Sequence, residues 1–403
     1  MIFFKQKIKK MIHDKGYSLY DLMRRNGYIE QTNLNLNLCN PFQKRVLICY
    51  VPILNYDFSK IVHAQSAHIN QIIYAFTQRG YCVDICYAND MLSYRRISNN
   101  YYDVVFGFGE TYKLACVDNP RALKISFIME NHPIVVAKKY AERVEYFKKR
   151  HPHVDISSSI LRTGFFDIEQ FKLSDAGILM NSLYNSMNFK EFGDNLLLVN
   201  SNSIFNDAYN FIREEVFDSV TKCRKRFLWF GSVGLIHKGL DIVVDAFRQL
   251  PDFCLDVYGI DKKEYTLFDK IKSDNTFNKK RVNVMSDEFI HEVVLMHNFM
   301  VLDSCSEGMS TAVSTCMAHG IIPIVSKECG FNEAPCIIQL EDNSVEGVKN
   351  AILKTQEMSE EEILNMRQAC YEYARKNFSL EHFNEEFGKQ LDKVLTHAKQ
   401  QKA

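Results

Sequence analysis

The sequence predicts an α/β protein built from two doubly wound parallel sheets. Three observations carry that expectation. Short apolar, β-prone runs alternate with helix-like runs, the pattern of strands joined by crossover helices. The alternation restarts near Thr221, giving two halves of comparable size. The chain has 403 residues, enough for two domains of ordinary size.

Residues 1–43 read as an extension, with seven Lys/Arg against three Asp/Glu. Phe3, Phe4, Ile8, Met11 and Ile12 would form the apolar side of a short basic helix expected there. Such a helix would lie on an anionic membrane surface through residues 1–15, or pack on the body of the protein. The start has charges inside its apolar part and no cleavage-like site, so it is not read as a secretory signal.

Residues 44–215 form the expected N-terminal domain. "RVLICYV" is its first strand. "HAQSAHINQIIYAFTQRG" sets Ile69, Ile72, Ile73 and Phe76 at helical spacing, and Gly80 ends the helix. "YCVDICY", "YDVVFGFG", "ALKISFIME", "SDAGILMNS" and "NLLLVNS" are further strands. Residues 216–378 form the second domain. "RFLWFGS" opens it, and "KGLDIVVDAFRQL" is a helix with Leu240, Val243, Val244, Phe247 and Leu250 on one face. "FCLDVYG", "RVNVMS", "FMVLDS" and "IIPIVS" read as its other strands. Residues 379–403 lie in a long C-terminal helix. In such folds a cleft separates the domains, and ligands bind beyond the carboxyl ends of the strands.

Lys plus Arg equals Asp plus Glu at 49 each, which argues against a dedicated nucleic-acid binder. The 12 cysteines include no C-x-x-C pair and no zinc-like spacing. Many sit in apolar runs, such as Cys49 and Cys254, as reduced thiols of a cytoplasmic protein would. No apolar run approaches the ~18 residues of a membrane span.

Two motifs carry chemistry. "WFGSVGLIHKGLD" places Gly231, Ser232 and Gly234 around a strand-to-helix turn, with Lys238 just before the helix. Glycines permit close backbone approach, and a lysine supplies a point charge for a diphosphate. The spacing matches neither G-x-G-x-x-G nor G-x-x-x-x-G-K-[ST]. "SCSEGMSTAVSTCMAHG" then lies between two strands, with Ser310 or Thr311 as helix cap and Gly320 as its end. Its helix start suits an anion, and Gly308 and the small residues leave room for one. Glu307 stands just ahead, where it would accept hydrogen bonds from sugar hydroxyls or serve simply as a residue favoured by the helix dipole.

Taken together and in order, these motifs resemble the donor domain of retaining GT-B-fold glycosyltransferases of the glycosyltransferase 4 type, the group 1 glycosyltransferases. The resemblance covers residues 195–395. It rests on "FGSVGLIHKGLD", on "SEGMSTAVSTCMAHGIIPIV" and on the C-terminal "YEYARKNFSLEHFNEEF", a helix that in that family crosses back to the first domain. There are two departures. Ser232-Val233-Gly234 stands where the family usually has an arginine, and Thr315 stands at the second glutamate of E-G-x6-E, which commonly holds the nucleotide ribose.

The resemblance implies transfer of a sugar from a nucleoside-diphosphate sugar to a hydroxyl, with retention and without a cofactor. The chain has no D-x-D pair, which argues against a metal-bridged route. Lys238 and the amides of Met309, Ser310 and Thr311 would stabilise the leaving diphosphate, and Glu307 would hold the donor sugar. "SFIMENHP" places Glu130, Asn131 and His132 at a strand end, with His132 toward donor sugar or acceptor hydroxyl, or simply packed; His63 and His68 follow the first strand. The basic "KKYAERVEYFKKRHPH" is a solvated helix face or a surface for anionic lipid, the latter suiting a lipid-linked glycan acceptor. Rival readings are a GT-B sugar-nucleotide epimerase or hydrolase, a non-catalytic GT-B-like scaffold and, remotely, a dehydrogenase.

Overall fold

The computed structural model describes residues 31–51, 64–98, 100–160, 166–279 and 281–401. Among them, strands β1 (Gln31–Leu34), β2 (Arg45–Tyr50), β3 (Cys82–Tyr87), β4 (Val104–Gly107), β5 (Leu123–Ile128), β6 (Ala176–Met180) and β7 (Leu196–Val199) form one sheet, in the order β1-β3-β2-β4-β5-β6-β7. Strands β8 (Arg226–Phe230), β9 (Cys254–Tyr258), β10 (Thr276–Asn278), β11 (Phe299–Leu302), β12 (Ile322–Val325) and β13 (Ile338–Gln339) form the other, in the order β10-β9-β8-β11-β12-β13. The helices used below are α1 (Ala64–Gln78), α2 (Pro133–Arg150), α3 (Leu240–Arg248), α4 (Thr311–Ala318), α5 (Glu360–Asn377) and α6 (Leu380–Gln401).

The chain divides into two compact units: Met1–Phe127, Phe165–Ile178 and Leu391–Ala403 make up the first, and Ile128–Gly164 with Leu179–Gln390 the second. In the first, β2 pairs in parallel with β3 and β4, and its apolar run is buried as a strand covered on both faces must be. Asp84 is the polar exception in β3. Its carboxylate accepts from Arg45 (2.8 Å), Tyr102 (2.8 Å), Asn100 (2.9 Å) and the Asn33 amide (2.7 Å), so its burial is offset by donors on four residues. The Asn33 bond ties β1 to β3 as an antiparallel edge strand. α1 carries the expected apolar face, with Ile69, Ile72 and Phe76 buried beside a buried His68. The last turns of α6 belong to this unit, where Asp392 takes a two-pronged bond from Arg79 at 2.7 Å.

The second unit contains the whole six-stranded sheet. Its core includes Trp229, Phe227, Phe247 and Phe299, and Phe227 stacks on Phe299 at 5.6 Å. In α3, Leu240 to Phe247 are buried without a break, including Asp241 and Asp245. Arg150 of α2 pairs with both carboxylates, which makes their burial tolerable.

Three expectations are corrected. β1 lies in the stretch read as an extension. The valine alternation of "RVNVMS" is not a strand; the third strand of this sheet is Thr276–Asn278, in register with Leu255–Val257. Val282 and Val284 still pack on the core, but the Val284 and Ser286 carbonyls are held by the Asn206 side chain at 3.1 and 3.3 Å rather than by a neighbouring strand. The helix read over 379–403 is α6, whereas "YEYARKNFSLEHFNEEF", read as one helix, spans the end of α5 and the start of α6, with a break at Phe378, which caps α5. The proposed helix over residues 1–15 and His63 lie outside the described residues. Among the described residues, no helix is long and apolar enough to cross a membrane.

Candidate functional site

The two sequence motifs leave neighbouring strands. β8 and β11 pair in parallel, Phe227 opposite Phe299. Counted in chain order the six strands run 3-2-1-4-5-6, and the order reverses between these two. Loops leaving the carboxyl ends at such a reversal diverge and open a crevice. Residues 231–239 follow β8 and residues 303–310 follow β11. This places Lys238 and Glu307, 69 positions apart in sequence, in a buried ion pair. Ser304 Oγ donates to the same Glu307 oxygen at 3.0 Å.

The first loop is held from inside. Glu264, fully buried, accepts the amides of Gly234 (2.8 Å), Leu235 (2.9 Å) and Ile160 (3.1 Å). The glycine-turn amides at 234 and 235 are therefore engaged by a protein carboxylate. The Lys238 amide donates to the Gly234 carbonyl at 2.8 Å, closing the turn. Gly239 has φ 66°, and a Cβ there would lie 2.1 Å from the Asp303 carbonyl oxygen, so only glycine lets the two loops touch. Gly231 packs beneath the Trp229 ring, and Ser232 is exposed.

The second loop runs into α4. Ser310 is the N-cap residue, in extended conformation and without a side-chain cap bond; Thr311 opens the helix. The Ser310 amide donates to Cys329 O at 3.2 Å, and Val313 and Ser314 donate to Ser310 O. Among the described residues, the helix-start amides left over by this arrangement are those of Thr311 and Ala312. A Cβ on Gly308 would lie 2.1 Å from the Met129 carbonyl oxygen, so the space this glycine leaves is taken by the chain's own backbone. Met309 Sδ accepts the Ser201 amide at 3.2 Å.

Thr315 is buried, and its Oγ1 accepts the Ile204 amide at 3.2 Å. Its carbonyl accepts from His319 Nδ1 at 2.7 Å, while His319 Nε2 faces the Asn206 amide at 3.1 Å. One ring nitrogen must donate and the other accept, so His319 is neutral with its proton on Nδ1. Burial pushes its pKa down to about 4.

His132 is the N-cap residue of α2, with Pro133 at the first helical position. It is buried, and its Nε2 bonds Glu191 at 3.0 Å. An asparagine ladder runs from its peptide toward Glu307. Asn131 Oδ1 accepts the His132 amide (2.8 Å), Asn131 donates to Asn185 (3.1 Å), Asn185 to Asn181 (2.8 Å), and Asn181 to the Glu307 carbonyl (3.4 Å). The structure thus brings His132, Lys238 and Glu307 into one connected polar network within the second unit.

Sequence reasoning missed Arg143 and Asp303, a fully enclosed pair at 3.0 Å beneath the two loops. Burial pushes the Asp303 carboxyl up, to about 7, against the pull of Arg143. Half of the basic side chains of α2 are tied to buried or half-buried carboxylates, while Lys138, Lys148 and Lys149 are exposed. Lys139 pairs with Glu328, Arg143 with Asp303, and Arg150 with Asp241 and Asp245. A small hollow of about 10 Å³ beside the ion pair, room for roughly one water, is lined by Glu130, Asn131, Val136, His237, Ser306 and Glu307. Among the described residues, no group of three His, Cys, Asp or Glu side chains is placed to hold a metal ion. All 12 cysteines are free, and Cys39 is the exposed one.

This fold is shared with solved glycosyltransferases. HepE of Anabaena, solved with UDP and glucose, superposes with a TM-score of 0.58 at 10% identity, covering 87% of this chain and 100% of that one. Sucrose-phosphate synthase of Thermosynechococcus elongatus gives 0.59 at 12%, covering 88% and 100%. WaaG, a glycosyltransferase involved in lipopolysaccharide biosynthesis, gives 0.53 at 13%, covering 85% and 98%. The chain has the GT-B fold of two Rossmann-like domains. Residues 212–377, which include both motif loops, match the family model of group 1 glycosyl transferases. No curated protein matches the chain.

Proposed function

We propose that the chain transfers a sugar from a nucleoside-diphosphate sugar to a hydroxyl acceptor, with retention and without a metal. The observation that supports this most is the Lys238–Glu307 pair, buried at the strand-order reversal within the stretch that matches the group 1 family model. As the glycosidic bond breaks, negative charge grows on the leaving phosphate oxygen. Lys238 and the Thr311 and Ala312 amides are the groups to stabilise it. Glu307 accepts hydrogen bonds from the donor sugar, and His132, aligned by Glu191, faces sugar or acceptor hydroxyl. The leaving phosphate takes the proton of the incoming hydroxyl.

The acceptor is proposed to be a sugar or lipid-linked glycan hydroxyl in surface-polysaccharide assembly, as in the lipopolysaccharide pathway of WaaG. The buried free thiols suit a cytoplasmic setting. Membrane contact through residues 1–15 belongs to the same proposal, and deleting them should abolish co-sedimentation with anionic liposomes.

The deciding experiment is a thermal-shift panel of UDP-, GDP-, ADP- and CMP-sugars on the wild type, Lys238→Ala and Glu307→Ala. A shift lost in Lys238→Ala supports the reading. Absence of any shift in the wild type would turn the chain into a non-catalytic GT-B-like scaffold. With a responding donor in hand, Glu307→Ala should lower turnover by more than it weakens binding of the free nucleoside diphosphate.

A further inference from the structure

The loop that joins β1 to β2 turns its polar side chains inward and its apolar ones out. Leu38 is 88% exposed and Phe42 91%. A cross-braced frame holds them there. Asn33 and Asn35 adopt left-handed backbone conformations, φ 59° and 60°, which asparagine tolerates better than most side chains. The Leu36 amide donates to Asn33 O at 3.2 Å, that of Asn40 to Asn37 O at 3.1 Å and that of Gln43 to Asn40 O at 3.1 Å. Side chains accept others: Gln43 Oε1 takes the Asn37 amide (2.7 Å), Asn37 Oδ1 the Cys39 amide (3.0 Å) and Asn40 Oδ1 the Phe42 amide (3.0 Å). Pro41 has no amide hydrogen. The frame is clamped to the end of α1 and the turn beyond it. Gln43 Nε2 donates to Asn35 O (2.8 Å) and Gly80 O (3.0 Å), and Asn35 Nδ2 to Thr77 O (3.2 Å) and Tyr81 O (3.1 Å).

This arrangement inverts the usual polarity of a surface loop. Its amides need little from water, and its carbon-rich side chains stand in it. A segment built so can leave water without stranding its backbone, which is the requirement for contact with lipid. A protein partner would cover about 800 Å² on each side, whereas Leu38 and Phe42 make a narrow tip. The surrounding charge agrees with lipid. Residues 32–50 contain no Asp or Glu, Arg45 is paired with Asp84, and Lys44 at the foot of the loop is exposed. We propose that this loop inserts Leu38 and Phe42 into the headgroup–acyl boundary of an anionic bilayer, with Lys44 meeting lipid phosphates. Two apolar side chains make a weak, reversible anchor, so the loop acts together with a second contact. Residues 1–15, for which membrane contact is proposed above, precede it in the chain. The inference goes beyond the transferase reading and does not depend on it.

Cys39 makes the test direct, because it lies in this loop and is the exposed one of the 12 cysteines. The full chain carries an environment-sensitive thiol fluorophore at Cys39. Vesicles of phosphatidylcholine with phosphatidylglycerol should shift its emission to the blue and, with an acyl-chain quencher present, dim it. Vesicles of phosphatidylcholine alone should act much more weakly. In the unlabelled chain, Leu38→Ser with Phe42→Ser should weaken vesicle binding about tenfold or more. The melting temperature should not move, because neither side chain is buried. Lys44→Gln should cost about fivefold on anionic vesicles only. Vesicle binding with no change at the Cys39 label would place the contact elsewhere in the chain and overturn the assignment. A blue-shifted label without vesicles would mean that protein covers the loop, a second copy if the shift grows with protein concentration and another part of this chain if it does not; either overturns it. Equal response to both vesicle types would overturn the part given to Lys44. If the chain binds no vesicles, this inference falls together with the contact proposed for residues 1–15. The transferase reading stands or falls separately, on the thermal-shift panel.

Discussion

Lys238 and Glu307 bury opposite charges against one another, with Ser304 Oγ donating to the same carboxylate. Breaking a buried pair from one side leaves a stranded charge, which typically costs about 3–5 kcal/mol. Lys238→Met should therefore destabilise the second unit by about that amount, and Lys238→Met with Glu307→Leu by clearly less. Urea denaturation of the two singles and the double gives the coupling; additive losses would mean the pair is not formed in solution. Asp303 carries a separate signature. An unfolded aspartate titrates near ~4, whereas burial holds this one up at about 7. The folded state therefore keeps a proton that the unfolded chain has released. Its contribution to stability is greatest at or below pH ~4, declines as pH rises toward ~7 and is level above that. The melting temperature of the wild type should fall as pH rises from about 4 to about 7, and Asp303→Asn should remove that slope whatever its absolute stability.

At the scale of elements, Glu264 sets the shape of the Lys238 loop. Glu264→Ala leaves the Gly234 and Leu235 amides buried without an acceptor, at about 1–3 kcal/mol each. Hydrogen exchange at those two amides should accelerate strongly, with nucleotide affinity falling in parallel; unchanged protection would show the loop held by something else. Gly239→Ala should be worse, because the added carbon meets a backbone oxygen that cannot move aside. Sequence periodicity located most strands and the faces of α1 and α3, because those depend on local alternation of apolar side chains. It failed at "RVNVMS", where the valines pack inward but a side chain from residue 206, far away in sequence, holds the carbonyls. It failed at Phe378, whose helix break has no glycine or proline to announce it. Glu264 and the Arg143–Asp303 pair were invisible for a similar reason. Their meaning comes from partners 30 and 160 positions away, and neither spacing forms a pattern.

For the molecule as a whole, the strand order was the part of the site the sequence could announce only indirectly. Two halves of alternating strands and helices indicated doubly wound sheets; the reversal between β8 and β11 then brought the two motifs together. Acid should unfold the protein through other groups than Asp303. Burial raises Asp245 and Asp256, but His151 and Arg150 for the first, and His297 and Arg226 for the second, outweigh it and hold both below the usual carboxylate range. Their contributions are present above pH ~4 and lost as pH falls through the lowered values. A nucleoside diphosphate at a hundred times its Kd should stabilise the folded chain by about 2.7 kcal/mol. That increment, measured by calorimetry, should vanish in Lys238→Ala.

The charge balance at residue 238 also bears on which solutes this crevice ignores. A lysine standing alone would attract chloride, sulfate or any passing anion, whereas this one already has a carboxylate tenant. An incoming phosphate gains most when its other end compensates Glu307 with hydroxyl hydrogens. Binding should therefore be indifferent to simple salts over the range where exposed lysines are screened, and bare phosphate should compete poorly with a phosphate that carries a sugar.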